Sequence, residues 1–111
     1  MKILTGQQLV STLRKSCDKV TKRLWIASPF IGYWSKVRRI LGRKWVDDGQ
    51  ISVRLITDFS DNSIFDYETI KCFHDRGAIK EIKGLHAKIF IIDDAALVTS
   101  ANLTNTAFTK R

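Results

Sequence analysis

The amino-acid sequence predicts an α/β domain whose mixed, partly parallel β-sheet is flanked by helices. Apolar residues recur at helical spacing in three segments, and short β-branched runs lie between and after these segments. Strands that alternate with helices are typical of a partly parallel sheet, because the helices supply the crossover connections. The one proline and six glycines mark turns and form no linker, so we expect a single domain over residues 1–111.

The first predicted helix begins at Thr5, which forms a sequence resembling a capping box with Gln8. Apolar residues follow at helical spacing, at Val10, Leu13, Cys17 and Val20. A different face of this helix is basic, with Lys15, Lys19 and Lys22. Residues 24–30 then form a predicted short strand that ends in a Ser-Pro turn.

The second predicted helix spans residues 34–46 and is closed by an Asp-Asp-Gly sequence. Its apolar stripe consists of Trp34, Val37, Leu41 and Trp45. Another stripe of the same helix is basic, with Lys36, Arg39 and Arg43. The β-branched content of residues 51–59 predicts the strand that follows.

The third predicted helix begins at Ser63, turns Ile70 and Phe73 inward and ends at Gly77. Three predicted strands complete the chain, at residues 78–83, 85–92 and 95–100, with a tight Asp93-Asp94 turn between the last two. Both faces of the strand at 85–92 are apolar at its far end, so we expect both faces to be covered.

Composition excludes several classes of protein. With 44% hydrophobic residues among 111, the chain can bury a real core, and its three Trp and six Phe argue against disorder. No apolar run approaches the roughly 20 residues of a membrane span, and the N-terminus becomes polar too early for a signal peptide. We therefore expect a cytoplasmic protein that has no membrane partner.

The cysteines and histidines predict neither a metal site nor a cofactor. Cys17 and Cys72 have no paired spacing, which is typical of reduced thiols. His74 and His86 are too few and too far apart for a zinc site of usual spacing. His74 is predicted to lie at a helix end, where the helix dipole favours it.

The charge of the chain indicates an anionic partner. Its 19 Lys and Arg against 11 Asp and Glu give a formal net charge of +8. Such a balance in a small domain is typical of proteins that meet nucleic acid, a phospholipid surface or phosphate-bearing substrates. A soluble basic protein without such a partner remains the alternative.

Polar side chains recur at fixed intervals in the apolar stretch LHAKIFIIDDAALVTSANLTN, residues 85–105. His86 and Lys88 share a strand face, and a hairpin at Asp93-Asp94 would bring Ser100 and Asn102 back toward them. A nucleophilic imidazole, an ammonium, an amide and a hydroxyl together suit a phosphoryl group. Taken singly, each of these residues also has an ordinary structural explanation.

The segments HAKIFIID and TSANLT resemble the HxKxxxxD and GSxN signature of the phospholipase D superfamily. The resemblance implies a phospholipase D-like half-domain in which His86 attacks phosphorus and forms a phosphohistidine. It also implies that Lys88 and Asn102 hold the non-bridging oxygens and that Ser100 supports them. Asp93 would be mainly architectural, and no metal would be needed because the lysine and the amide take the place of a cation.

The family chemistry uses two histidines, but this chain has one HxK sequence, so the resemblance implies a symmetric homodimer. The sequence departs from the pattern in two ways. Thr99 stands where the family prefers glycine, and the tail LTNTAFTKR lacks the acidic residue that orients the histidine. Either another carboxylate (Asp58, Asp93 or Asp94) orients His86, or the chain is a C-terminally truncated or degenerate half-domain.

Among substrates, the two basic faces of the predicted helices favour nucleic acid, because Lys and Arg supply its sequence-independent affinity. The residues concerned are Lys15, Lys19, Lys22, Lys36, Arg39 and Arg43. Our first hypothesis is a metal-independent nuclease of low sequence specificity, with DNA favoured over RNA. The alternative is a catalytically impaired nucleic-acid-binding or assembly module with the same fold. A phospholipase or phosphatidyltransferase comes third.

Overall fold

A computed structural model describes residues 6–29, 32–59, 66–85 and 88–98 of the chain. In chain order, the elements of this described part are α1 (Gly6–Asp18), β1 (Arg23–Ala27), α2 (Trp34–Leu41), α3 (Lys44–Asp47), β2 (Ser52–Thr57), α4 (Tyr67–Arg76), β3 (Gly77–Glu81), β4 (Ile89–Ile92) and β5 (Ala95–Val98).

The five strands form one mixed sheet in the order β3-β2-β1-β4-β5. β1, β2 and β3 are parallel, whereas β4 is antiparallel to β1 and to β5. The predicted mixed, partly parallel sheet is therefore confirmed. Both crossovers, from β1 to β2 and from β2 to β3, step in the same direction across the sheet. Because such crossovers are right-handed, they bring α2, α3 and α4 to the same face.

The core lies between that face of the sheet and the helices. Leu24 and Ile26 of β1 are buried, and the strand register aligns them with buried residues of β2 and β4. Trp45 of α3 is fully buried and stacks on Phe73 of α4, with 4.8 Å between ring centroids. Its indole N–H donates to the Gly42 carbonyl oxygen at 3.0 Å, so the large ring is buried without an unsatisfied donor.

The opposite face of the sheet is only partly covered in the described part of the chain. Phe90 and Ile92 of β4 are buried on the helix side, but Ile89 and Ile91 on the other side are half-buried. The expectation that both faces of this strand are covered is therefore met on one face. Trp25 also lies on this open face, where the guanidinium groups of Arg23 and Arg54 lie 5.2 and 4.6 Å from its ring.

Helix α1 ends at Asp18, earlier than the sequence predicted. The amides of Lys19 and Val20 bond back to the carbonyl oxygens of Ser16 and Cys17, which closes the helix with a tight turn. Lys19 and Lys22 therefore lie in the connection to β1, and the prediction that they share a helical face with Lys15 is wrong.

The predicted helix at 34–46 is divided in two by Gly42, whose φ of 69° leaves the helical region. A side chain at this position would also approach the Asp18 carboxylate to 2.8 Å, so the glycine allows α2 to end close against α1. Arg43 consequently becomes the N-cap of α3 and leaves the stripe of Lys36 and Arg39. The predicted inward residues Val37 and Leu41 are nevertheless buried.

Some of the remaining element ends agree with the sequence prediction: α4 ends before Gly77, β4 ends at Ile92 and β5 begins at Ala95. Others differ. α4 is described from Tyr67, since Ser63 lies outside the described residues, and β4 begins at Ile89 instead of residue 85. Gly77 was expected only to end the helix, but it is also the first residue of β3. It pairs with Val53 in the parallel register, at a point where the two backbones come unusually close.

We predict that Gly77→Ala lowers the free energy of unfolding by about 3 kcal/mol, because overpacking of a tight contact costs about this much. The added Cβ would lie 1.7 Å from the Val53 carbonyl oxygen, so β2 and β3 must separate. Urea unfolding followed by circular dichroism measures the effect. Gly49→Ala is the matched control, since a Cβ there meets nothing within 4 Å. Equal stability of the two variants would contradict the described contact.

Candidate functional site

The carboxyl ends of the three parallel strands meet at one edge of the sheet, which is where open α/β sheets bind ligands. We call this the carboxyl edge and define it by Ser28, Asp58, Ile82 and Lys88, the residues next to the ends of β1, β2, β3 and the start of β4. Ala27 pairs with Ile89, so the half-buried Lys88 enters β4 beside the end of β1.

Hydrogen bonds fix the segments that leave the carboxyl edge. The Asp58 carboxylate accepts from the Gly84 amide at 3.0 Å, and the Glu81 carboxylate accepts from the Phe59 amide at 3.2 Å. The Thr57 hydroxyl lies 3.3 Å from the Pro29 carbonyl oxygen. The ends of β1, β2 and β3 are therefore tied together. The residue that binds the Asp58 carboxylate, Gly84, lies two positions before His86 in the chain.

A second group of bonds joins the first turns of α2 and α4 beside this edge. The Asp66 carboxylate accepts from the Trp34 amide at 2.7 Å and lies 2.9 Å from the Thr69 hydroxyl. That hydroxyl is also 2.9 Å from the Gly32 carbonyl oxygen. Asp66 therefore satisfies a free amide at the start of α2, a capping contact from another helix that the sequence analysis missed. The ring of Tyr67, next to it in the chain, is exposed.

Three of the predicted catalytic residues, His86, Ser100 and Asn102, lie outside the described residues, as does Thr99. Lys88 lies at the carboxyl edge, whereas Asp93 lies at the other end of β4. Asp93 lies five residue steps after Lys88 along a nearly extended chain, a distance of roughly 17 Å. It thus stays a prediction that His86, Lys88, Ser100 and Asn102 converge. Asp93 lies too far from Lys88 for the two side chains to share a ligand.

Asp93 has φ 54°, in the left-handed region that aspartate tolerates better than most residues. Its carboxylate accepts hydrogen bonds from the amides of Thr21, Lys22 and Arg23, at 3.2, 2.7 and 3.1 Å. Desolvation raises its pKa, but the backbone bonds from Lys22, Arg23 and Thr21 and the charge of Lys22 outweigh it, so the net pKa is lowered. Asp93 therefore anchors the turn after β4 to the start of β1.

The positions of Asp58, Asp93 and Asp94 indicate which of these carboxylates is the better candidate to orient His86. Asp93 is engaged by backbone amides at the far edge, and its neighbour Asp94 pairs there with Lys22 at 3.4 Å and Arg23 at 3.8 Å. Asp58 is the one of the three predicted candidates that lies at the carboxyl edge, where Gly84 already holds it.

The predicted basic residues are dispersed over the helical layer and the connection between α1 and β1. Lys15 is exposed on α1, Lys36 is half-buried, and Lys22 pairs with Asp94. Arg39 and Arg43 instead join two arginines that the sequence analysis did not single out. The six residues Arg14, Ser35, Arg38, Arg39, Gly42 and Arg43 line a cleft of about 460 Å³, which we call the arginine cleft.

The sequence contains a signal for this cleft. Ser35, Arg38, Arg39 and Gly42 follow the i, i+3, i+4, i+7 spacing of one helical face, which is polar instead of apolar. Arg14 on α1 is held against that face: its guanidinium donates to Asp18 at 3.0 Å and to the Arg39 carbonyl oxygen at 2.9 Å.

The thiols and His74 contribute no reactive group to the site. Burial, reinforced by the charge of Asp18, raises the pKa of the Cys17 thiol to about 12, and burial also raises the pKa of Cys72. Both cysteines are free, as predicted. His74 is exposed in the last turn of α4, as expected for a helix-end residue. In the described part of the chain, no three His, Cys, Asp or Glu residues are grouped to hold a metal ion.

Comparison with known proteins finds no matching family model and no matching curated protein. Among solved structures, NucT from Helicobacter pylori matches with a TM-score of 0.75 and 22% sequence identity, over 96% of this chain and 74% of NucT. Because NucT has a phospholipase D-like fold, this likeness shows that the chain has a phospholipase D-like fold as well. No helix in the described ranges combines the length and the apolar character required to cross a bilayer.

We predict that Asp93→Asn lowers the free energy of unfolding by about 2 kcal/mol at pH 7, because charge-assisted hydrogen bonds are lost and an amide group faces backbone N–H groups. Asparagine keeps the size and tolerates the positive φ. Asp94→Asn is the matched control and should cost less than about 1 kcal/mol, since its ion pairs are exposed.

The effect of Asp93→Asn should depend on pH. A carboxyl whose pKa is lowered by folding contributes stability that is present above the unfolded pKa, about 4, and is lost as pH falls through the folded pKa. Urea unfolding at pH 7 and at pH 3 should therefore show a smaller difference from wild type at the lower pH. A difference that is constant over this range would mean that the Asp93 charge does not carry the effect.

Proposed function

We propose that this protein is a phosphodiesterase of the phospholipase D type that cleaves nucleic acid. The observation that carries the proposal is the likeness in fold to NucT, a nuclease of the phospholipase D superfamily. The HxKxxxxD sequence and the net charge of +8 support it independently. We favour DNA over RNA as the substrate. The cytoplasmic location of the protein stays a prediction.

In the proposed mechanism, His86 attacks phosphorus and the bond to the leaving oxygen breaks as the bond from nitrogen to phosphorus forms. Lys88 is half-buried at the carboxyl edge, where an ammonium group is less screened than on the open surface. It holds a non-bridging oxygen together with Asn102, and Ser100 supports them. These groups stabilise the charge that develops on the phosphoryl oxygens, so the scheme requires no metal.

The leaving oxygen needs a proton, and one imidazole cannot attack and protonate at the same time. His86 of the partner subunit supplies this proton in a two-fold dimer. It then removes a proton from the water that attacks the phosphohistidine, which releases the phosphate monoester and restores both imidazoles. Asp58 is the proposed carboxylate that orients His86, since it is bound to the same connecting segment at Gly84.

We predict that His86→Ala abolishes cleavage of single- and double-stranded DNA in excess EDTA, with at least about a 10³-fold loss of rate, because the nucleophile is removed. Gel electrophoresis of labelled DNA measures the rate. His74→Ala is the matched control, since that histidine is exposed on α4. Unchanged cleavage by folded His86→Ala would refute the mechanism.

Dimerisation is tested by dilution with the inactive chain. If two copies of His86 form one site, co-refolding wild type with a nine-fold excess of His86→Ala should reduce the rate per wild-type chain to about one tenth, because most wild-type chains then pair with an inactive partner. The same excess of serum albumin is the control. A rate per wild-type chain that is independent of the excess would indicate a site within one chain.

A second candidate is a nucleic-acid-binding or assembly module without turnover. The arginine cleft favours it, because four arginines collect on the helical layer and not at the carboxyl edge. Salt-sensitive binding of DNA with no cleavage by wild type would support this candidate over the nuclease.

A further inference from the structure

We propose that the arginine cleft holds backbone phosphates of the nucleic acid at a distance from the cleavage site. That the ligand is a nucleic acid rests on the proposed function. The anionic character of the ligand follows from the cleft itself. The cleft would be a second binding site, which takes the phosphates of a neighbouring part of the strand that is cut at the carboxyl edge.

The cleft is built between two helices and is held open by a fixed frame. Arg14 of α1 crosses to α2, where its guanidinium donates to the Arg39 carbonyl oxygen while Asp18 holds its Nε. Gly42 allows this close approach, because any side chain there would meet Asp18 at 2.8 Å and Arg14 at 3.2 Å. The position of Arg14 is thus set by the protein and needs no ligand.

The charge of the cleft is not balanced. Asp18 neutralises Arg14 at 3.0 Å, and Asp47 approaches Arg43 only to 4.0 Å. Within the described ranges, neither Arg38 nor Arg39 forms a side-chain ion pair or hydrogen bond, and both side chains are exposed beside the cleft. Two guanidinium groups with free donors, next to a serine hydroxyl, suit the oxygens of a phosphodiester.

The size of the cleft admits phosphates, and its lining suits them better than bases. A volume of about 460 Å³ has room for more than one phosphate group. Among the described residues, no aromatic ring lines the cleft, so the aromatic platform on which single-stranded binders stack bases is missing there. Contacts of this kind increase affinity without reading sequence.

The α2 arginines of the cleft lie further from the carboxyl edge than the start of that helix. α2 begins beside that edge, where Ser35 lines the near end of the cleft, whereas Arg38, Arg39 and Gly42 lie in and beyond the second half of the helix, further along the helical layer. In this proposal a short phosphodiester occupies the site at Lys88 alone, whereas a longer strand also contacts Arg38 and Arg39. The cleft should therefore affect long substrates and leave small ones unchanged.

The test is the double variant Arg38→Gln/Arg39→Gln. Neither side chain supports the fold through a described contact, and the carbonyl oxygen that accepts from Arg14 is retained. The matched control is Arg54→Gln/Lys80→Gln, which removes the same two charges from exposed positions on the opposite face of the sheet. Circular dichroism melting curves establish that both variants are folded.

Binding of a fluorescein-labelled 20-nucleotide DNA, single- and double-stranded, is measured by anisotropy at several salt concentrations, with His86→Ala added to every variant to prevent cleavage. Loss of two charge-assisted contacts should weaken binding by the cleft variant roughly tenfold or more. The slope of log K against log salt should fall by about 2. The control pair should change binding less than threefold. Equal losses in the two pairs, or no loss in the cleft pair, would overturn the proposal.

Two further measurements separate this inference from its alternatives. Without the His86→Ala change, the cleft variant should hydrolyse bis(p-nitrophenyl) phosphate at the wild-type rate. If wild type hydrolyses neither this ester nor DNA, the nuclease proposal fails, while the anisotropy result still decides the cleft. If the cleft variant loses binding to vesicles of phosphatidylglycerol but not to DNA, the cleft belongs to a lipid surface and the proposal is wrong.

Discussion

The rest of the architecture depends on the hydrogen bonds that the carboxylate of Asp93 accepts. It binds the amides of three consecutive residues, Thr21 to Arg23, and so fixes the turn after β4 to the start of β1. This contact sets the antiparallel register of the two strands. A slip of one residue would exchange the buried Phe90 and Ile92 for the half-buried Ile89 and Ile91, and would move Lys88 along the edge.

The one-sided arrangement of the helices follows from the order of the strands. Two right-handed crossovers in one direction collect the helices on a single face, and the core residues lie there. The other face presents Trp25 between two arginines, an aromatic ring partly shielded by charged groups. The polar groups of the two candidate sites are thereby divided between the carboxyl edge of the sheet and the arginine cleft on the outer surface of the helices.

Local periodicity was sufficient to predict which residues of the 34–46 segment face inward, as Val37, Leu41 and Trp45 show, but not that Gly42 divides this segment into two helices. It predicted the ends that carry a local turn signal, such as the end of α4 before Gly77, but not those that tertiary contacts decide. α1 stops at Asp18 with a tight turn over Lys19 and Val20, which brings the amide of Thr21 to Asp93, 72 positions away in the chain. The arginine cleft was missed for the same reason: Arg14 and Arg38 come together only when α1 and α2 pack. His86, the central residue of the predicted site, lies outside the described residues.

The spacing of the HxKxxxxD sequence acquires a structural meaning from β4. The four residues between Lys88 and Asp93 are Ile89 to Ile92, which is the whole of that strand. The lysine therefore stands at the carboxyl edge, and the aspartate stands at the opposite edge, where backbone amides bind it. Since a strand of four residues has a fixed length, anchoring one end determines the position of the other. The aspartate of the motif thus acts on the proposed chemistry through the position of the lysine, and not through contact with the phosphate.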